Sequence, residues 1–158
     1  MQLETTHFHY LADQLSEYCE ENISIKVSRS ERDNSGSVFT IAELEGITTG
    51  EKDQLKTDQT TITFRNDTDT EKAIGTYYVL QEDSSIAVIE WIEISDERAW
   101  GKGLGRLFHE LVVDHIDQTT NADRIYSQLE EPNLQSVLID SGFVQNTTTQ
   151  EPWYHCDL

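Results

Sequence analysis

Hydrophobic and polar positions along this chain follow two periods. Phe8, Leu11, Leu15, Tyr18 and Cys19 recur three and four apart, which predicts an amphipathic helix over about 7–21. The period then falls to two, with Ile23, Ile25 and Val27 alternating with polar residues as a first strand. Residues 29–37 are polar and rich in turn formers and read as a loop, and 38–44 reads as a second strand. The stretch 46–58 carries no pattern that assigns it. Residues 60–65 alternate again, and Asn66-Asp67-Thr68-Asp69-Thr70 is turn chemistry. Residues 73–80 and 86–94 read as an antiparallel pair joined around Glu82-Asp83-Ser84. Leu104, Leu107, Phe108, Leu111, Val112 and His115 then fall on one helical face, with His115 as a core-edge histidine. A strand at 124–129 follows, then a helix whose first turn takes Pro132 and which ends before Gly142. Residues 153–156 form a last strand.

That order predicts an α+β fold, with a mixed, mostly antiparallel twisted sheet flanked by helices and residues 1–158 forming one domain. No apolar run is long enough to span a bilayer, and the first residues lack the basic and apolar segments of a secretory leader, so a cytoplasmic protein is expected. Cys19 and Cys156 lie far apart and read as reduced thiols, with a bridge between the chain ends left open. His7 and His9 lack further ligands at metal-binding spacing, and Asp67, Asp69 and Glu71 begin like a calcium loop without its sixth-position glycine, so no metal is expected.

Charge changes the picture more than length does. The chain carries 30 Asp and Glu against 11 Lys and Arg, a net charge of −19, spread along its whole length. With lysine scarce and threonine plentiful, this acidic surface suits a halophilic protein working in concentrated salt, or an acidic protein with basic partners. Neither nucleic acid nor a membrane is an expected partner. The longest stretch without a carboxylate is 98–109, and it holds Arg98, Lys102 and Arg106.

Within that stretch lies Trp100-Gly101-Lys102-Gly103-Leu104-Gly105-Arg106, a glycine turn entering a helix directly after a strand. Glycines let the backbone present several N–H groups to one point, and the helix start adds its unpaired amides and positive dipole end. Together they predict a cradle for phosphate or diphosphate. A P-loop is excluded, because Lys102 is followed by Gly103 rather than Ser or Thr. A dinucleotide fingerprint fails at Arg106, where its third glycine would stand.

The turn resembles the acyl-CoA signature of the GNAT superfamily of N-acetyltransferases, Gln/Arg-x-x-Gly-x-Gly/Ala at the mouth of a helix. Ile92-Glu93-Ile94 is similar to the strand end that precedes it, with Gly103 and Gly105 at the small positions. The run from Glu131-Pro132-Asn133 to Ser141-Gly142-Phe143 is similar to the family's second helix, which closes on Gly-Phe. The resemblance covers about residues 73–157. It departs at Trp100, which stands at the Gln/Arg position as in branches resembling ribosomal-protein N-acetyltransferases. It departs again at Leu138, where many members carry the tyrosine that reprotonates the CoA thiolate.

What the resemblance implies is transfer of an acetyl group from acetyl-CoA, as co-substrate, to a primary amine of a small molecule, a protein N-terminus or a lysine. The pantetheine would pair with backbone of Ile92, Glu93 and Ile94, and the diphosphate would take amides of Trp100, Gly101, Lys102, Gly103, Leu104, Gly105 and Arg106. Glu90, ahead of Glu93, is the candidate base that frees the amine of its proton, the two standing on opposite faces of a regular strand. Burial beside Trp91 would give such a carboxylate useful basicity. Tyr154, or Tyr126, is the candidate acid in place of the missing tyrosine. A CoA-binding module without turnover is the alternative, and a homodimer through the C-terminal aromatic strand stays open.

Overall fold

The computed structural model describes residues 6–33, 37–47, 55–128, 132–146 and 152–158. These form, in chain order, α1 (His9–Cys19), β1 (Ser24–Asp33), α2 (Ser37–Leu44), β2 (Lys56–Arg65), β3 (Glu71–Leu80) and β4 (Ile86–Ile94). A 3-10 turn (Glu97–Ala99), α3 (Leu104–Thr119), β5 (Arg124–Ser127), α4 (Pro132–Asp140), β6 (Val144–Gln145) and β7 (Tyr154–Asp157) follow. The strands make a seven-stranded sheet in the order β1-β2-β3-β4-β5-β7-β6. All neighbours run antiparallel except β4 and β5, whose parallel pairing requires the α3 crossover. This is the mixed α+β architecture that the hydrophobic periods predict.

Alternation sorts the sheet into two faces. Ile62 and Phe64 of β2, Tyr77 of β3 and Ile89 of β4 join Phe8, Leu11 and Leu15 near α1 and Phe108 and Val112 of α3 in one core. Phe64 and Phe108 meet edge to face at 5.2 Å, with Phe8 6.1 Å from each. Gly75 permits this approach, since a Cβ there would lie 2.7 Å from Cζ of Phe108. On the other face Tyr78, Leu80, Ile86, Val88 and Tyr126 pack with Val38, Ile41 and Ala42 of α2 and with Leu55 and Trp153.

Several elements differ from the sequence expectation. The segment expected as a second strand is the helix α2, because Val38, Ile41 and Ala42 are spaced for one helical face and all three are buried there. A short apolar run does not distinguish the two periods. The expected loop after Val27 continues as β1 to Asp33, an exposed edge strand held by its ladder to β2 rather than by burial. The 66–70 turn forms as expected, with Asn66 Oδ1 accepting the N–H groups of Thr68 and Thr70. Strand β5 ends at Ser127, and Leu129 lies outside the described residues. The last strand, β7, lies between β5 and β6 rather than at an edge, so the pairing of a second copy along it finds both sides taken at Tyr154 and His155. Cys19 and Cys156 are free thiols.

Candidate functional site

The site begins where β4 changes partners. From Ala87 to Ile89 the strand pairs with both β3 and β5, the last β5 partner being Ser127. At Glu90 the β3 register slips, since Thr76 faces Trp91 while Tyr77 faces Ile89, and Glu90 is the extra residue of a bulge. A bulge bends and twists its strand. From Glu90 to Ile94 the strand pairs with β3 alone, so its outer edge has no strand beside it among the described residues. The slip also breaks strict alternation. Ile89 and Ile92, three apart, both pack toward the α1–α3 core, so Glu90 and Glu93 are not divided between opposite faces as regular alternation would have them.

The glycine bend follows. Gly101 and Gly103 have φ of +72° and +76°, left-handed backbone that favours glycine, and Gly103 is the N-cap of α3. Gly105 is different, because its φ is ordinary and a Cβ there would meet nothing within 4 Å. Nothing in the fold itself requires glycine at that place. The space above Gly101 and Gly103 is equally open. No backbone N–H from Gly101 to Arg106 has an acceptor among the described residues. The bend therefore presents unmatched N–H donors at a helix start, chemistry that suits a diphosphate.

Trp100 ties this bend to the strand. Its side chain is 60% exposed, yet its indole N–H donates to the carbonyl of Ile94 at 2.7 Å. That carbonyl, expected to meet the pantetheine, is thus already engaged, while the backbone edge of Ile92 and Glu93 carries no β5 partner. Leu104 is buried beneath the bend as the first helical residue of α3.

The basic residues divide into separate roles. Arg98 donates to Asp96 at 2.7 Å and to Glu21 at 3.0 Å, and Lys72 donates to the same two carboxylates at 2.9 Å each. The Arg98 guanidinium, with Lys72 behind it, holds the Asp96 carboxyl well below the usual carboxylate range. This four-residue clamp joins the chain after α1, the start of β3 and the 3-10 turn, fixing the approach to the glycine bend. Arg98 is therefore a structural cation and not a free anion ligand. Arg106 lies 3.2 Å from Glu110 and 4.0 Å from Asp140, both exposed pairs. Lys102 sits over the Tyr18 ring at 5.4 Å and has no carboxylate partner among the described residues.

The acid–base candidates spread unevenly. Glu90, Trp91 and Glu93 are all exposed, so the burial expected beside Trp91 is absent, and Trp91 Nε1 instead donates to Glu93 Oε2 at 3.2 Å. Tyr126 lies in the closed part of the sheet opposite Val88, and its hydroxyl donates to Glu45. Burial, then the Glu45 contact, pushes the Tyr126 phenol up. Tyr154 is buried in the other core and pairs with Ser127, the residue at which β4 and β5 part. Leu138, at the position of the missing tyrosine, is fully buried core.

One pair escaped the sequence reading. His109 Nε2 lies 3.1 Å from Ser127 Oγ, both side chains are buried, and His109 Nδ1 has no partner. Burial pushes the His109 imidazole down to about 4. The inward face of α3 includes His109 and Ile116 where the apolar letters alone favoured Leu107 and Leu111, and a helical-wheel count that admits histidine as a core residue would have found it. His115 is deeper than an edge position, being fully buried with Nδ1 3.1 Å from the Tyr77 hydroxyl.

No protein-family model and no curated protein matches this sequence. Solved structures do. An acetyltransferase from Thermus thermophilus superposes with a TM-score of 0.51 at 17% identity, over 63% of this chain and 64% of its own. This match thus spans less than two thirds of the Thermus chain. A protein of the GNAT acetyltransferase family from Desulfovibrio desulfuricans matches with a TM-score of 0.51 at 13% identity, over 84% of this chain and 99% of its own. The GNAT domain of S. lividans PAT gives 0.51 at 13% identity, over 63% and 61%. The described residues contain no helix long and apolar enough to cross a membrane and no group of side chains arranged to hold a metal ion. At these identities the likeness is one of architecture: the chain has the fold of the GNAT acetyltransferases.

Proposed function

We propose that this protein is an N-acyltransferase that moves an acetyl group from acetyl-CoA to a primary amine. The observation that carries the reading is a pair of backbone surfaces unmatched among the described residues and tied together by the Trp100–Ile94 bond, the outer edge of Glu90–Glu93 and the N–H run from Gly101 to Arg106. An extended amide-bearing arm ending in a diphosphate would satisfy both. Gly105, for which the fold supplies no reason, is explained by the close approach of such a ligand.

When bound, acetyl-CoA supplies the thioester as acyl donor. The amides of the bend hold the diphosphate, and Lys102 adds a positive charge not spent on a carboxylate. Glu90, at the bulge where the strands part, receives the proton that the substrate ammonium must lose before its nitrogen can attack. Glu93, tethered to Trp91, helps hold the ammonium. As the new amide forms, the carbon–sulfur bond breaks and the sulfur takes up a proton. Tyr154, which pairs with Ser127 where β4 and β5 part, is the hydroxyl we assign to that transfer.

The first test is a thermal melt with acetyl-CoA, which should raise the melting temperature, as any ligand of the folded state does. The second is thiol release in the presence of amines. A flat melt would dispose of the cradle. A raised melting temperature with no thiol release from any amine would instead favour a CoA-binding module without turnover, a reading supported by the packing of Leu138 where a hydroxyl is expected. Both assays belong in concentrated potassium chloride, since we extend the proposal to a halophilic, cytoplasmic protein on the strength of its net charge of −19. Stability that does not rise with salt argues against that extension.

A further inference from the structure

We infer that the acceptor amine is carried on a hydroxyl-rich body, an amino sugar or similar aminopolyol, lying on the half of the sheet face that α2 leaves uncovered. The inference rests on the acyl-transfer reading and adds the substrate class to it. Strand register assembles the surface. Ser28, Thr61, Thr76 and Trp91 are directly opposite one another on β1, β2, β3 and β4. Their neighbours Val27, Ile62 and Tyr77 pack into the α1–α3 core, so this row belongs to the other face. The next row, Lys26, Thr63, Ile74 and Glu93, follows by the same register. The cover given by α2, Leu55 and Trp153 reaches Tyr78 and Val88 in the row on the far side of these two.

Threonine is common on any solvated sheet face because it suits strand backbone. Thr63 and Thr76 are not solvated in that way, being only 7% and 8% exposed. Among the described residues neither hydroxyl has a hydrogen-bond partner, and neither is one of the sealed, unpartnered polar atoms. Recessed hydroxyls that open only onto the surface above them are donors and acceptors awaiting a polar partner. Trp91, 48% exposed at the end of the row, offers an apolar ring with a polar edge beside Glu90 and Glu93. That combination suits a ring whose C–H face stacks on indole, whose hydroxyls meet threonines and whose ammonium meets carboxylates. An alkyl or aryl amine would strip water from the hydroxyls and return no hydrogen bond. A phosphorylated acceptor would face two carboxylates.

The test is initial-rate thiol release at saturating acetyl-CoA with a 2-amino-2-deoxyhexose, its disaccharide, the hexosamine 6-phosphate, 1,4-diaminobutane and phenylethylamine. The free or linked amino sugar should exceed the other three at least tenfold in kcat/KM, and whichever of the two is better identifies the source. Thr76→Val and Thr63→Val, which keep side-chain shape, should each raise the amino-sugar KM about fivefold while moving kcat, and the KM for acetyl-CoA, less than twofold. Ser28→Ala, on an exposed strand, serves as the second variant if those fail to fold, with a smaller rise in KM. Preference for the alkyl, aryl or phosphorylated amine, or an unmoved amino-sugar KM in these variants, overturns the inference while leaving acyl transfer intact. No thiol release from any amine overturns acyl transfer itself. Titration of tryptophan emission with the amino sugar then decides the binding surface alone: a saturable change abolished by Trp91→Phe supports it, and no change overturns it.

Discussion

The two halves of β4 belong to one continuous strand and are structurally opposite. Ile86–Ile89 is buried, with β3 on one side, β5 on the other and a core on each face. Glu90–Ile94, equally rich in isoleucine, has one neighbouring strand and exposed side chains on the face that carries Trp91 and Glu93. The strand opens by losing a partner, and the loss is set by the end of β5 at Ser127 and the bulge at Glu90. On the proposed function the closed half serves stability and the open half chemistry, so changes in one should leave the other largely untouched.

The largest effect belongs to the closed half. Phe108→Ala, which empties the space against Gly75, Phe8 and Phe64, should cost about 4 kcal/mol in urea unfolding. A loss below about 1 kcal/mol would mean that the face is not packed as described. Lys72→Met should follow, at no more than about 3 kcal/mol, because Asp96 and Glu21 would lose the buried cation of the clamp and keep only the half-exposed Arg98. Double-mutant cycles with Asp96→Asn check that coupling, and additive losses would refute it.

In the open half the same measurements should read differently. Gly105→Leu, a good helix former set in empty space, should leave unfolding unchanged and weaken acetyl-CoA binding by about 100-fold, the scale of a lost diphosphate cradle. Undiminished affinity by calorimetry would remove the cradle from consideration. Glu90→Gln should lower kcat by about 100-fold with the KM for acetyl-CoA unmoved, and a normal rate would exclude it as the base.

Over the interval from pH 7 to 5.5, the smallest effect is a pH dependence of the closed half. Burial holds both His109 and His115 down to about 4 in the folded protein, against an ordinary value near 6.5. Between those values the unfolded chain binds more protons than the folded one, so stability falls as pH drops from about 6.5 toward 4 and levels off below. Each histidine contributes at most about 1.4 kcal/mol per pH unit in that window. Urea melts at pH 7 and pH 5.5 that coincide would show that these rings are not neutral inside.

Much of this was legible in the letters, and the exceptions share a cause. The run from the 86–94 strand through the glycine turn into α3 could be read because each piece is local, being an apolar strand, backbone-permissive residues and a helical stripe. The exposed state of Glu90 and Glu93 could not, since alternation assumes a regular strand and the register slip is a property of the β3–β4 pair. The clamp of Glu21, Lys72, Asp96 and Arg98 was equally hidden, because its members come from the end of α1, from β3 and from the 3-10 turn. Segment 38–44 misled because its apolar residues fit both periods over so short a length.

By itself the sequence determined the backbone of the glycine bend, since where a chain can bend without a Cβ and where a helix must begin are decided by neighbours along the chain. Which strand edge stays open, which carboxylates stand exposed and which threonines are buried were decided only by tertiary structure. Those depend on what distant segments lay alongside β4 and how far each one reaches.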